Sequence, residues 1–72
     1  MYCFQTTDGP VSIVQRGNAW QVLVAGRKLA EFASPRAAAQ AVSAARAFDP
    51  EINEMLAILD LPRALSAWTE LH

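Results

Sequence analysis

The apolar positions change period once along this chain. Through residues 1–33 they fall in short runs rich in β-branched and aromatic side chains; from residue 34 they recur at three- and four-residue spacing. The first pattern predicts strands and the second predicts helices. Strands are expected over residues 2–6, 11–16, 19–25 and 28–33. Thr7-Asp8-Gly9-Pro10 supplies the first turn, and Gly17-Asn18 and Gly26-Arg27 supply two tighter ones. A glycine at the first central position suits a type II′ hairpin, whose twist matches antiparallel strands.

Two-residue loops also fix register. Arg16 then faces Ala19, Gln15 faces Trp20, Ile13 faces Val22 and Val11 faces Val24. In the next hairpin Ala25 faces Lys28, Val24 faces Leu29 and Val22 faces Glu31. Because side chains alternate across a strand, Val11, Ile13, Trp20, Val22, Val24 and Leu29 share one apolar face, the predicted core wall. The other face collects Ser12, Val14, Arg16, Gln21, Leu23, Lys28, Ala30 and Phe32. Phe32 fits this scheme least well. A bulge near Ala30 would turn it inward and Glu31 outward, and the pattern leaves both arrangements open.

Three prolines mark helix starts: Ser34-Pro35, Asp49-Pro50 and Leu61-Pro62. Proline suits the first helical position, where its missing N–H has no intrahelical partner to lose. Helix one is capped by Ser34 and runs to about Phe48, with Ala38, Ala41, Val42, Ala45 and Phe48 on one stripe. Helix two is capped by Asp49 and carries Ile52, Met55, Leu56 and Leu59. Helix three carries Leu65, Trp68 and Leu71. The predicted fold is α+β: an antiparallel meander of three to four strands followed by three short helices (ββββααα), the first packed on the sheet. It forms one small domain over residues 1–72, with the sheet in 1–33 and the helical part in 34–72.

Composition sharpens this picture. Of 72 residues, 53% are apolar, more than so small a body can bury, so exposed apolar surface and self-association as a homodimer are expected. Residues 1–36 carry four basic side chains against two acidic ones, a net +2; residues 37–72 carry two against five, a net −3. The lone Cys3 cannot close an internal disulfide and fits a reducing compartment. No run approaches the roughly 18 apolar residues of a membrane span. The first residues, with Asp8 and no early Lys or Arg, do not read as a signal peptide. A cytoplasmic setting away from membranes is expected.

Little chemistry is on offer. The one histidine, His72, is the last residue, and Cys3, with no base near it in sequence, reads as a buried, inert thiol. Metal sites need several ligands at set spacing, which one Cys and one His at opposite ends do not supply. Asp49 and Glu51 have a structural role at a helix N-terminus, where negative charge is favoured. The three glycines all belong to turns. No enzyme activity, cofactor, metal or small-molecule substrate is expected. Trp20 belongs to the core wall, whereas Trp68 is either an interface anchor or packs on helix two or the sheet.

Residues 13–45 read Ile13, Gly17-Asn18-Ala19-Trp20-Gln21-Val22, Gly26-Arg27-Lys28-Leu29, Phe32-Ala33-Ser34-Pro35, Ala37-Ala38 and Ala41. This pattern resembles the plant ethylene-response DNA-binding domain and the amino-terminal arm-binding domain of phage integrases. The likeness covers under half the chain and extends to many short bacterial and phage proteins. It implies a three-stranded meander under an alanine-rich helix, with the outer sheet face reading the DNA major groove. The matching positions here are Arg16, Gln21, Arg27 and Lys28, with Val14 and Leu23 lying among them. Affinity for DNA rests heavily on phosphate neutralisation, and three or four basic groups supply little.

The leading functional expectation is therefore a non-enzymatic protein-interaction module of bacterial or phage type, an adaptor or inhibitor that binds a partner protein or its own copy. The expected contact residues are Leu65, Trp68 and Leu71 on the last helix, with Val14, Leu23 and Phe32 as a second patch. The alternative is a sheet-face DNA-binding accessory or regulatory protein. A helix-turn-helix in helices two and three is disfavoured, since Arg63 is the only basic residue of helix three.

Overall fold

The computed structural model describes residues 1–71; the expectation made for His72 lies outside them. Four strands, β1 (Tyr2–Thr6), β2 (Gly9–Arg16), β3 (Ala19–Val24) and β4 (Arg27–Phe32), lead into helices α1 (Pro35–Ala44) and α2 (Pro50–Leu59). A 3-10 turn at Leu65–Ala67 and a two-residue strand, β5 (Thr69–Glu70), follow. The α+β class is as expected, but among the described residues the sheet has five strands, in the order β4-β3-β2-β1-β5, and there are two α-helices rather than three. All strand pairs are antiparallel.

The β2–β3 register is the predicted one: Arg16↔Ala19, Gln15↔Trp20, Ile13↔Val22 and Val11↔Val24. Gly17 takes the positive φ of 62° that the first position of this turn requires. The next hairpin turns one residue earlier than predicted. Its loop is Ala25-Gly26, with φ of 51° and 84°, so Val24 pairs with Arg27 and Leu23 with Lys28. A bulge between Val22 and Leu23 on the partner side absorbs Leu29 as an extra residue. Beyond it Val22 meets Ala30, Gln21 meets Glu31 and Trp20 meets Phe32. Phe32 thus faces inward and Glu31 outward, which settles the alternative left open above. Phe32 packs edge-on against Phe48, centroids 6.2 Å apart.

Val11, Ile13, Val22 and Val24 are buried against Ala38, Ala39 and Val42 of α1 and Leu56 of α2. Small alanines let α1 lie close to the sheet, and the valines fill the space between. The cap is as predicted at Ser34, whose hydroxyl accepts from the Ala37 N–H at 3.1 Å. However, α1 stops at Ala44, four residues short of the expected end. Ala45 turns left-handed at φ 54°, and its N–H still reaches the Ala41 carbonyl.

Asp49 occupies the N-cap position of α2, but its side chain makes no capping bond. Asn53 does the fastening instead. Its Oδ1 accepts from the Phe48 N–H at 3.1 Å and its Nδ2 donates to the Phe48 carbonyl at 2.8 Å. This two-bond clamp holds Phe48 where it meets Phe32.

Among the described residues the third predicted helix is absent. After Pro62 the chain makes the 3-10 turn, buries Trp68 and runs antiparallel along β1, pairing Cys3↔Thr69 and Tyr2↔Glu70. A helix there would have about ten residues, marginal without strong packing. The backbone pairs of the β1 edge are the better alternative. No helix among the described residues is long and apolar enough to cross a membrane.

Candidate protein-interaction face

Both helices and the 3-10 turn lie on the inner side of the sheet. The outer face is left open, because none of its large apolar residues joins the core cluster. Alternation and register define that face in rows across the strands. One row reads Lys28, Leu23, Ser12, Cys3, Thr69. The next reads Glu31, Gln21, Val14 and, one step beyond Tyr2↔Ile13, Met1. Leu71 lies beside Met1, since its N–H donates to the Met1 carbonyl at 2.7 Å and its carbonyl accepts from the Met1 nitrogen at 3.3 Å. Arg16 and Ala19 close the face at one end.

This arrangement redistributes the expected contact residues. Val14 and Leu23 are on the outer face, half-buried by their neighbours. Leu71 joins them, 44% exposed, and so does Met1, 45% exposed. These are two of the three large apolar side chains that protrude most among the described residues; the third is Ile58 of α2. Phe32 is on the opposite side. Leu65 packs against the core, and Trp68 is only 5% exposed, with its ring 5.7 Å from that of Phe4. The helical-tail patch therefore dissolves, and its one exposed member moves to the sheet. Sequence spacing hides this, because Leu71 reaches Val14 only through a strand that pairs with the chain's first residues.

Cys3 is a free, half-buried thiol in the same face, with the Gln5 amide 3.8 Å from its sulfur. It is less enclosed than the buried position expected for it.

Charge lies at the rim of the face. Lys28 Nζ and Glu31 Oε1 are 2.6 Å apart, and Gln21 Nε2 donates to the same carboxylate oxygen at 3.1 Å. The Lys28 hydrogen bond first, and the Gln21 bond second, hold the exposed Glu31 carboxyl below its ordinary range. Two of the four positions matched to DNA readers are thus engaged with an acid. A third, Arg27, pairs opposite Val24 beside the turn and lines a cleft of about 500 Å³ together with Asp49 and Glu51. Arg16 alone remains on the face as a basic group without a carboxylate partner among the described residues.

Both sheet edges are guarded. The outer edge of β4 carries Arg27, Lys28, Glu31 and the bulge, features that discourage a further strand from pairing. The edge of β1 is covered at Tyr2 and Cys3 by β5. What the sheet presents to a partner is its face.

Comparison of the chain with family models, with curated proteins and with solved structures finds no match.

Proposed function

We propose that this chain is a small non-enzymatic protein-interaction module, an adaptor or inhibitor that lays its outer sheet face on a partner protein and pairs with its own copy through the same face. The observation that carries this reading is the convergence of Val14, Leu23, Met1 and Leu71 on one side of a sheet whose other side holds the whole core. Apolar groups exposed on an open sheet face are stabilised when a second surface excludes water from them. The surface area, 4589 Å², is close to the roughly 4,400 Å² of a compact monomer of this mass, so no extended arm accounts for the apolar excess.

The face is small. Five strands at about 4.8 Å spacing, averaging about five residues at about 3.3 Å per residue, project to roughly 400 Å². Stable complexes bury about 800 Å² per partner, so association through this face alone is weak and reversible. Contacts beyond the face, or several copies, would be needed for tight capture. DNA binding stays the second reading, and it is disfavoured by the engagement of Lys28 and Gln21 with Glu31.

Light scattering over a concentration series tests the proposal. The wild-type mass should rise from 7.8 kDa toward twice that value, while Leu23→Lys and Leu71→Lys stay at 7.8 kDa with unchanged melting. If wild type and both variants scatter alike at every concentration, the chain does not pair with its own copy through the outer face.

A further inference from the structure

Away from the sheet's outer face, α1 and the segment after Pro62 meet along two adjoining shallow depressions of about 450 and 460 Å³. Arg36 and Gln40 from α1 line the first, together with Arg63, Leu65 and Ser66. Gln40 and Arg63 also line the second. No acidic side chain lines either one. Asp60 is the nearest acid in sequence, three residues before Arg63, and it forms no ion pair with it among the described residues. Lys28–Glu31 is the only ion pair among the described residues, so neither arginine has a carboxylate partner there.

Arg36 is also placed against local electrostatics. It sits in the first turn of a ten-residue helix that has no acidic residue in that turn. The helix dipole already makes this end positive, and a cation there is unfavourable. Two arginines from positions 27 residues apart, a glutamine and a serine therefore line one concavity without an acidic side chain among its lining residues. Residues that break a local rule in this way are commonly held for binding.

We propose that this concavity binds the phosphate of a small organic phosphomonoester. A phosphomonoester dianion offers three acceptor oxygens, matching planar guanidinium forks that approach from two elements. The Ser66 hydroxyl and Gln40 amide supply further donors. The volume exceeds that of a bare phosphate, and Leu65 gives the organic part an apolar wall. This site is independent of the sheet face and stands whether or not that face binds protein.

The test is a titration followed by NMR of backbone amides and arginine Nε–H groups, at matched ionic strength, with inorganic phosphate, phenyl phosphate, benzoate and chloride. Saturable shifts at Arg36, Arg63 and Ser66 are expected with both phosphates, tighter with phenyl phosphate. Arg63→Gln and Arg36→Gln should each weaken phenyl phosphate at least tenfold. Both side chains are exposed, so the variants should fold as wild type does, which unchanged melting confirms. Three results overturn the proposal: shifts that grow linearly and equally with chloride, affinity unchanged in both variants, or benzoate bound as tightly as phenyl phosphate. Binding of inorganic phosphate with no gain for phenyl phosphate overturns the organic part of the assignment.

Discussion

The indole Nε1 of Trp68 donates to the carbonyl of Pro62 at 3.0 Å, closing a loop of the chain on itself. With the indole seated beside Phe4, the backbone leaves the core in the right place and direction to pair Thr69 with Cys3 and set Leu71 beside Met1. One buried ring thereby controls both the core and the composition of the outer face.

Replacing Trp68 separates packing from hydrogen bonding. Trp68→Ala should cost about 3–5 kcal/mol, a large part of the roughly 4–11 kcal/mol available to a domain of this size. Trp68→Phe keeps most of the packing and should cost about 1–2 kcal/mol for the lost bond to Pro62. Urea unfolding followed by circular dichroism measures both. A midpoint for Trp68→Ala equal to that of wild type would mean that the tail is not docked as described.

How much of this was legible in the sequence depends on where each signal resides. The β2–β3 register was readable, because Gly17-Asn18 is a turn-forming pair directly between two apolar runs and a two-residue loop there fixes Arg16 opposite Ala19. The next turn was not. Gly26 can serve as either central residue, and choosing Ala25-Gly26 requires an alanine in the left-handed region, against its intrinsic preference. The bulge at Leu29 then restores an inward Phe32, which the sequence pattern had left undecided. Pro62 repeats the helix-start pattern of Pro35 and Pro50. There, however, the open edge of β1 and the pocket for Trp68 outweigh ten residues of weak helical preference. Of the candidate face, Val14 and Leu23 followed from alternation. Leu71 could not, because its place depends on a contact between the two ends of the chain.

The strained turn offers a stabilising change. Ala25 is exposed at φ 51°, next to Gly26. Asparagine tolerates this conformation far better, and Asn-Gly is a favoured type I′ pair. Ala25→Asn should raise stability by about 0.5–1 kcal/mol, read as a higher urea midpoint with unchanged slope. A lower midpoint would contradict the assigned loop.

Glu31 gives a pH signature. Its carboxyl titrates below the ordinary value of 4.5, because Lys28, and after it Gln21, stabilise the ionised form. A carboxyl depressed on folding stabilises the protein above its unfolded-state value, and that contribution is lost as pH falls through the folded-state value. The side chain is exposed, so the effect is small. In an NMR titration of side-chain carboxyl carbons, the Glu31 midpoint should lie below 4.5 in wild type and move back up in Lys28→Met. A midpoint identical in the two proteins would show that Lys28 does not hold the carboxylate in solution.

The open sheet face is tested most directly by amide NMR spectra recorded from micromolar to millimolar protein. Concentration-dependent shifts should fall on residues 12–14 and 21–23, on Cys3 and on residues 69–71, with the amides of α1 and α2 unmoved. Shifts concentrated on the helices, or spectra that do not change with concentration at all, would contradict the account.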